Sequence, residues 1–404
     1  MKDSFRQSMA WLHTWSGLVL GWVMFVIFYT GTVAFFKQEI TLWSQPELVA
    51  NPIEPVSALA FAQDYLQDKA PDAQTWHIVL PERGYGGVQL SWLSESGAGV
   101  VLLNHTGEQV RLRPSRGGEF FYRMHFDLHY LPRPVARWLV GVASILMFIA
   151  LVTGVIIHRR IFVDFFMLRL GKGQRSWLDG HNVAAVLALP FHLMITYTGL
   201  VTFVAILVTN IIHANYTNYS DYREDVYIER IARPATGESS PLLPLPLLAK
   251  EARDQWGGRH PGEITVEHPG DSAATVMITG ALGQRFSAHR QAIYVDGVTG
   301  EPLALSAPTG IGTALKGDLV GLHAGRFAKP GLRWLLFLSG VLGTLMIATG
   351  LVLWTARRRR RQERRLSIGF RLVEKLNIGV LAGLPAGTAA YFLANRLLPL
   401  DLPS

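Results

Sequence analysis

Four stretches of this chain contain no Asp, Glu, Lys or Arg: 16–36, 138–157, 182–212 and 334–356. Each is at or near the ~20 apolar residues that cross a bilayer as a helix. The pattern therefore predicts four membrane spans. A fifth apolar run, 378–394, is shorter and contains Gly383, Pro385 and Gly387. It is read as a fifth span, because neighbouring helices tolerate such breakers; a re-entrant or interfacial helix is the alternative.

Two long polar stretches separate these runs, and the same pattern occurs in both. In the first, 57–69 has the apolar spacing of an amphipathic helix, and strand-like pieces follow at 76–80, 87–93 and 100–104. In the second, the helix falls at 247–256 and the strands at 263–268, 274–279 and 291–295. Each third strand runs into a similar turn, Asn104-His105-Thr106-Gly107-Glu108 and Asp296-Gly297-Val298-Thr299-Gly300-Glu301. Glycine supplies the positive φ that such turns need. The fold class expected is a polytopic α-helical membrane protein with four core transmembrane helices, a fifth behind them, and two α+β domains outside the cytoplasm. The organisation reads as 1–36 (first span), 37–132 (first domain), 133–158 (second span), 159–180 (loop), 181–212 (third span), 213–322 (second domain), 323–356 (fourth span), 357–375 (basic segment) and 376–398 (fifth span). It is a tandem parallel repeat, with a pseudo-two-fold axis along the membrane normal.

The formal charge of +8 changes meaning once it is located. Arginines at 357–361 with Arg364 and Arg365 follow the fourth span. Arg159, Arg160, Arg169, Lys172 and Arg175 lie between the second and third, and Lys2 and Arg6 precede the first. All fall on one side of a five-span chain, which the positive-inside rule places in the cytoplasm. The charge is thus a topology signal with lipid-headgroup contact, and no nucleic-acid partner is expected. The first apolar run is too long for a secretion signal, and no small-x-small cleavage site follows it. The chain has no cysteine. Thiol chemistry, iron–sulfur clusters and covalent c-type haem attachment are excluded.

Histidines bring in the chemistry. His13 opens the first apolar run and His181 the third; His129 and His323 precede the second and fourth. His13 and the pair Thr30-Gly31 are spaced like His181 and Thr198-Gly199. Ionisable side chains at spanning helices are costly and usually functional, and a b-type haem takes an imidazole on each side of its iron. The axial pairs expected are His13 with His181 on the cytoplasmic side and His129 with His323 on the outer side. His13, Gly17 and Gly21 share one helix face, where the glycines leave a shallow groove; helix packing explains the glycines equally well. His158, His192 and His125 are the second choices. Arg123, Arg133, Arg326 and Lys329 near the outer pair are propionate partners or interface anchors.

The His-x-Trp-x-Gly-Leu start at His13, the Leu128-His129 and Leu322-His323 elements, the late Thr-Gly pairs and the two outer domains resemble PepSY-associated transmembrane proteins. The stretch Ile157-His158-Arg159-Arg160-Ile161-Phe162, with Arg175-Ser176-Trp177-Leu178-Asp179-Gly180-His181-Asn182 and Leu189-Pro190-Phe191-His192, resembles the ferric-siderophore reductase branch of that family, the FoxB type. That resemblance implies two b haems, one near each face of a bacterial inner membrane. It also implies electrons passing outward to reduce a ferric siderophore held in the periplasm. No nicotinamide, flavin, Walker or Ser-His-Asp motif is recognisable, so the electron donor is expected to be another, unidentified molecule. The tyrosine-rich segment 216–227 is a candidate siderophore cradle, or an interfacial aromatic belt. Two other classes remain open: a transporter of a metal, proton or small molecule between two parallel repeats, and a regulator whose outer domains bind a peptidase.

Overall fold

The computed structural model describes residues 4–48, 53–81, 87–158, 168–226, 231, 233–306, 310–359 and 367–399. Lys2, Arg159, Arg160, Ile161, Phe162, Tyr227, Arg360, Arg361, Arg364 and Arg365, all used in the sequence reading, lie outside the described residues. In chain order the first helices are α1 (Phe5–Val19), α2 (Gly21–Ala34), α3 (Lys37–Ser44), α4 (Ala58–Lys69), α5 (Glu119–Asp127) and α6 (Arg133–Ile157). Next come α7 (Gln174–Leu187), α8 (Leu189–Thr202), α9 (Val204–Leu207), α10 (Thr209–Asn215), α11 (Tyr219–Val226) and α12 (Leu245–Gln255). The last are α13 (Ile311–Ala324), α14 (Pro330–Arg359), α15 (Ile368–Asn377) and α16 (Gly383–Leu397). The strands are β1 (Thr75–Val79), β2 (Val88–Ser94), β3 (Gly97–Leu103), β4 (Pro261–Glu267), β5 (Thr275–Gly280), β6 (Ala292–Asp296) and β7 (Pro302–Ser306). The chain divides into a helical unit (1–44, 116–209, 328–404) and a sheet unit (45–115, 210–327).

In the helical unit, α6, α14 and a continuous helix over Ile368–Leu397 are long and apolar enough to cross a membrane. The last joins α15 to α16 through a π-helical turn at Ile378–Ala382. Just before it, buried Asn377 accepts from Trp22 Nε1 at 2.9 Å and donates to the Leu351 carbonyl at 3.2 Å, tying this helix to α2 and α14. The first and third apolar runs are not straight spans. α1 and α2 meet at 66°, and α7 and α8 at 70°. Each bent pair adds one further crossing if it is counted as a single span.

The second bend has a cause in sequence: Pro190 lies in the first turn of α8 and has no N–H to continue α7. The first has no proline. There Gly21 lets α14 approach, since a Cβ at Gly21 would lie 2.7 Å from Leu351. The third span is also shorter than expected, because α8 ends at Thr202 and α9 and α10 follow as short helices. Leu18, Phe25, Val140, Met147, Met346 and Leu351 are among the residues that fill the core between these helices.

The sheet unit corrects the expectation of two separate α+β domains. Its seven strands form one antiparallel sheet in the order β3-β2-β1-β4-β5-β6-β7. The halves join where β1 pairs with β4, with His77 opposite Thr265 at the middle of the register. Alone, each half would leave β1 or β4 as an open edge with unpaired backbone groups; joining them removes both edges. Trp76, Ile78, Leu90, Ile264, Val266 and Ile278 alternate onto one face, and α4 and α12 pack on the same core. Both anticipated helices and five of the six anticipated strands lie within one or two residues of their observed positions. β3 begins earlier, at Gly97, because Gly97-Ala98-Gly99 carries no strand signal; Trp92 covers Gly99, where a Cβ would come within 2.0 Å of the indole. β7 was not anticipated. It begins with Pro302, a residue that suits an edge strand.

Two aspartates hold loops of this unit. Asp271 accepts from the N–H groups of Ala273 (2.7 Å), Thr236 (3.1 Å) and Gly237 (2.7 Å), and these bonds hold its carboxyl well below the ordinary range. Burial pushes the Asp296 carboxyl up, but the Arg233 guanidinium and the N–H groups of Thr299 and Val298 outweigh it and hold it at about 2. Both folded values lie below the unfolded value of about 3.9. The stabilisation is therefore present above pH ~4 and is lost as pH falls through the folded values. The near-UV melting temperature of the sheet unit is expected to drop as pH is lowered from about 4 towards 2. Asp271→Asn with Asp296→Asn should flatten that fall; a double variant with the wild-type slope would place the acid sensitivity elsewhere.

Candidate functional site

The site is built by helix pairs that recur. α1 packs along α6, and α7 packs along α14. His13 and His181 lie on α1 and α7, each at the same separation from the break that follows, Leu20 or Ala188. His13 Nδ1 is 2.8 Å from the Ala150 carbonyl, and His181 Nδ1 is 2.8 Å from the Met346 carbonyl. A carbonyl only accepts, so Nδ1 carries the hydrogen in both rings. One turn on from each carbonyl stands a glycine that makes room for the ring. A Cβ at Gly154 would lie 3.2 Å from His13 Cε1, and one at Gly350 3.1 Å from His181 Cε1. The two imidazoles face each other with ring centroids 6.2 Å apart and planes at 73°. With Nδ1 engaged, Nε2 of neither ring has a hydrogen bond among the described residues. Of the two glycines that share a helix face with His13, only one faces another side chain. Gly17 faces open space and Gly21 faces Leu351.

His125 repeats this arrangement. It lies on α5, which packs along α2. Its Nδ1 is 2.8 Å from the Ile27 carbonyl, and a Cβ at Gly31 would come within 2.6 Å of the same nitrogen. His129, ranked ahead of it from sequence, is engaged differently. Leu128 ends α5 in the left-handed conformation (φ 48°). His129 then turns back so that Nε2 donates to the Phe120 carbonyl at 2.9 Å and its ring stacks on Phe120 at 4.8 Å. A left-handed leucine has no sequence signature, so this turn was not legible.

His323 lies in the last turn of α13, inside the sheet unit. It is within its helix, whereas His129 is past the end of its own. The matched positions expected for these two are therefore not matched in local structure. His158 caps α6 one turn beyond Gly154, and its buried Nδ1 has no hydrogen-bond partner among the described residues. His192, a second choice from sequence, lies beyond the break between α7 and α8. Nε2 of its fully buried ring donates to the Ala184 carbonyl at 3.1 Å.

The threonine-glycine pairs prove to be part of the seats. Thr153 precedes Gly154, and its hydroxyl donates to Ile149 (2.6 Å) and Ala150 (3.1 Å). Thr349 precedes Gly350 and donates to Leu345 (2.6 Å) and Met346 (3.0 Å). Thr30 precedes Gly31 and donates to Val26 (2.6 Å) and Ile27 (3.4 Å). In all three, the second carbonyl is the one that receives the imidazole.

Other sequence candidates are engaged elsewhere. Arg123 pairs with Glu119 and Asp127, and Arg137 bonds Asp127 at 2.7 Å. Tyr222 packs against Tyr216 and Tyr219 at 5.4 and 5.6 Å. Among the described residues, no group of three or more His, Asp or Glu side chains is arranged to hold a metal ion.

The chain is similar to the uncharacterized protein PA4219 of Pseudomonas aeruginosa, 28% identical over 287 residues that cover 66% of this chain and 70% of the relative. A family model described as the PepSY-associated TM region matches residues 10–357. That match extends over both units, so this membrane protein belongs to the PepSY-associated TM family.

Proposed function

We propose that the protein is a di-haem b cytochrome of a bacterial inner membrane that passes electrons outward to ferric siderophores, as in the reductase branch of its family. The observation that carries this reading is the facing pair His13 and His181, with both Nδ1 atoms engaged and centroids 6.2 Å apart. A first-row metal takes an imidazole nitrogen at about 2.0–2.1 Å, so rings on opposite sides of one ion have centroids roughly 6 Å apart. The residues present fit the group: His13 and His181 would hold the haem iron through their Nε2 atoms. Nδ1–H donation to a carbonyl fixes ring orientation and raises the basicity of Nε2, the usual support of a metal-bound histidine. Haem, when bound, supplies a one-electron couple at its iron.

On the other side of the bundle His125 takes first place, because it has the same seat. The Phe120 carbonyl and ring hold His129 otherwise. Arg357, Arg358 and Arg359 in the last turn of α14, with Lys172 and Arg175 before or at the start of α7, support a cytoplasmic side for those helix ends. Reduction suits release of siderophore iron, since hard oxygen ligands hold ferric iron far better than ferrous. The test is the dithionite-reduced minus oxidised visible spectrum of the detergent-purified protein, with haem counted as the pyridine haemochrome. Split α and β bands at about two haems per chain are expected. A colourless preparation from haem-replete cells removes the cytochrome and leaves the transporter and regulator readings.

A further inference from the structure

We propose that His192 and Thr196 on α8 form a binding site for one water molecule inside the helical unit, between the seats that receive His125 and His181. The site stands on the protein's own polar atoms and does not depend on the cytochrome reading. His192 is fully buried, and Thr196 is only 5% exposed. Nε2 of His192 faces the Ala184 carbonyl at 3.1 Å, so Nε2 carries the hydrogen and Nδ1 is left as an acceptor. Nδ1 has no hydrogen-bond partner among the described residues. Neither has the hydroxyl of Thr196, one turn further along the same helix.

Thr196 departs from the other threonines of these helices. Thr30, Thr32, Thr153, Thr344 and Thr388 each donate to the carbonyl four residues before them. That bond satisfies a hydroxyl in apolar surroundings. For Thr196 the corresponding carbonyl is that of His192, and the hydroxyl does not bond it. Residues four apart on a helix have Cβ atoms about 5–6 Å apart. One water spans such a pair, since two hydrogen bonds of ~2.8 Å reach across it. The water donates to Nδ1, which can only accept, and takes the hydroxyl hydrogen on its oxygen. Both orphan atoms are then paired, which is how buried water is ordinarily held.

The tautomer separates this histidine from the seated ones. His13, His125 and His181 turn Nδ1 to a carbonyl, whereas His192 turns Nε2 to one. No group of three or more metal-ligating side chains gathers there among the described residues, so a hydrogen donor rather than an ion matches the lone pair. The surroundings fix the place. The Phe28 ring meets His192 edge-on at 6.4 Å, and Phe28 follows Ile27, whose carbonyl receives His125. A Cβ at Gly343 would lie 3.2 Å from His192 Cε1, and Gly343 stands one turn before Met346, whose carbonyl receives His181.

The sign of one substitution tests the proposal on the full-length protein in detergent. Thr196→Val keeps the shape and removes the hydroxyl. If the water is bound, valine takes away one of its partners, and the melting temperature should fall by about 2 °C. In a His192→Phe background the water has already lost its acceptor, so the same Thr196→Val change should leave the melting temperature level or raise it. A Thr196→Val protein that melts at or above the wild-type temperature overturns the site, because removing an orphan hydroxyl relieves a cost. An equal fall in both backgrounds overturns it as well. Should His192→Phe not fold, a cryo-electron microscopy map that resolves ordered water decides. Density within hydrogen-bond distance of both Nδ1 and the hydroxyl is expected; none there, or a protein group on Nδ1, ends the proposal. Neither measurement depends on pigment, so a haem-free preparation leaves this test intact, and a failed test leaves the haem count untouched.

Discussion

Alanine at His13 or at His181 is expected to remove one haem and leave the other, so that the pyridine haemochrome falls to about half of the wild-type content. Each imidazole is one side of a pair 6.2 Å apart. The two variants should lose the same spectral component, and the double variant should lose no more than either single one. Residues that act on one centre are non-additive in this way. His125→Ala should remove the other component, while His129→Ala, whose ring is tied to Phe120, should keep both. If His13→Ala and His181→Ala remove different components, or if the double variant loses twice as much, the pairing is wrong. Full pigment in both single variants would remove these residues from the ligand set.

The contrast between His125 and His129 shows where sequence reading stops. The apolar runs at 138–157 and 334–356 correspond to α6 and α14 because a long uncharged run has few other structures open to it. The strands were legible because alternation survives in five-residue pieces such as β1 and β6. Both bends were hidden inside runs that are apolar throughout. Only Pro190 hinted at one of them; the other depends on Gly21 meeting Leu351, a contact across most of the chain. The single sheet was hidden for a related reason. Pairing β1 with β4 satisfies backbone groups, and backbone groups are the same in every sequence.

In the site, His13 and His181 were legible as a repeated position. Their partners Ala150 and Met346 were not, since any residue can offer a carbonyl. The Thr-Gly pairs were visible as a repeat at Thr30-Gly31 and Thr198-Gly199, but their purpose appears only when a ring from a distant helix is seen against them. His129 was favoured because it precedes the second span as His323 precedes the fourth, and the left-handed Leu128 that redirects it leaves no trace in the sequence.

Glycine substitution in the seats should displace the imidazole without removing it, and Gly31→Ala should act most strongly. A Cβ there would come within 2.6 Å of His125 Nδ1, closer than carbon and nitrogen pack, so the ring must leave the Ile27 carbonyl. At Gly154 and Gly350 the corresponding distances to Cε1 are 3.2 and 3.1 Å, which a shift of a few tenths of an ångström relieves. Gly31→Ala is therefore expected to reproduce the spectral loss of His125→Ala. Gly154→Ala and Gly350→Ala should mainly shift the potential and band shape of the His13–His181 component, and valine at either should remove it. Alanine at Gly17, which faces open space, serves as the control with full pigment.

Stability separates this from general damage. Glycine to alanine inside a helix favours the helix by about 1 kcal/mol, so a seat variant that loses pigment while its helices melt no earlier has lost ring placement alone. Equal pigment in Gly31→Ala and Gly17→Ala would mean that the ring of His125 is not held where its hydrogen bond to Ile27 puts it.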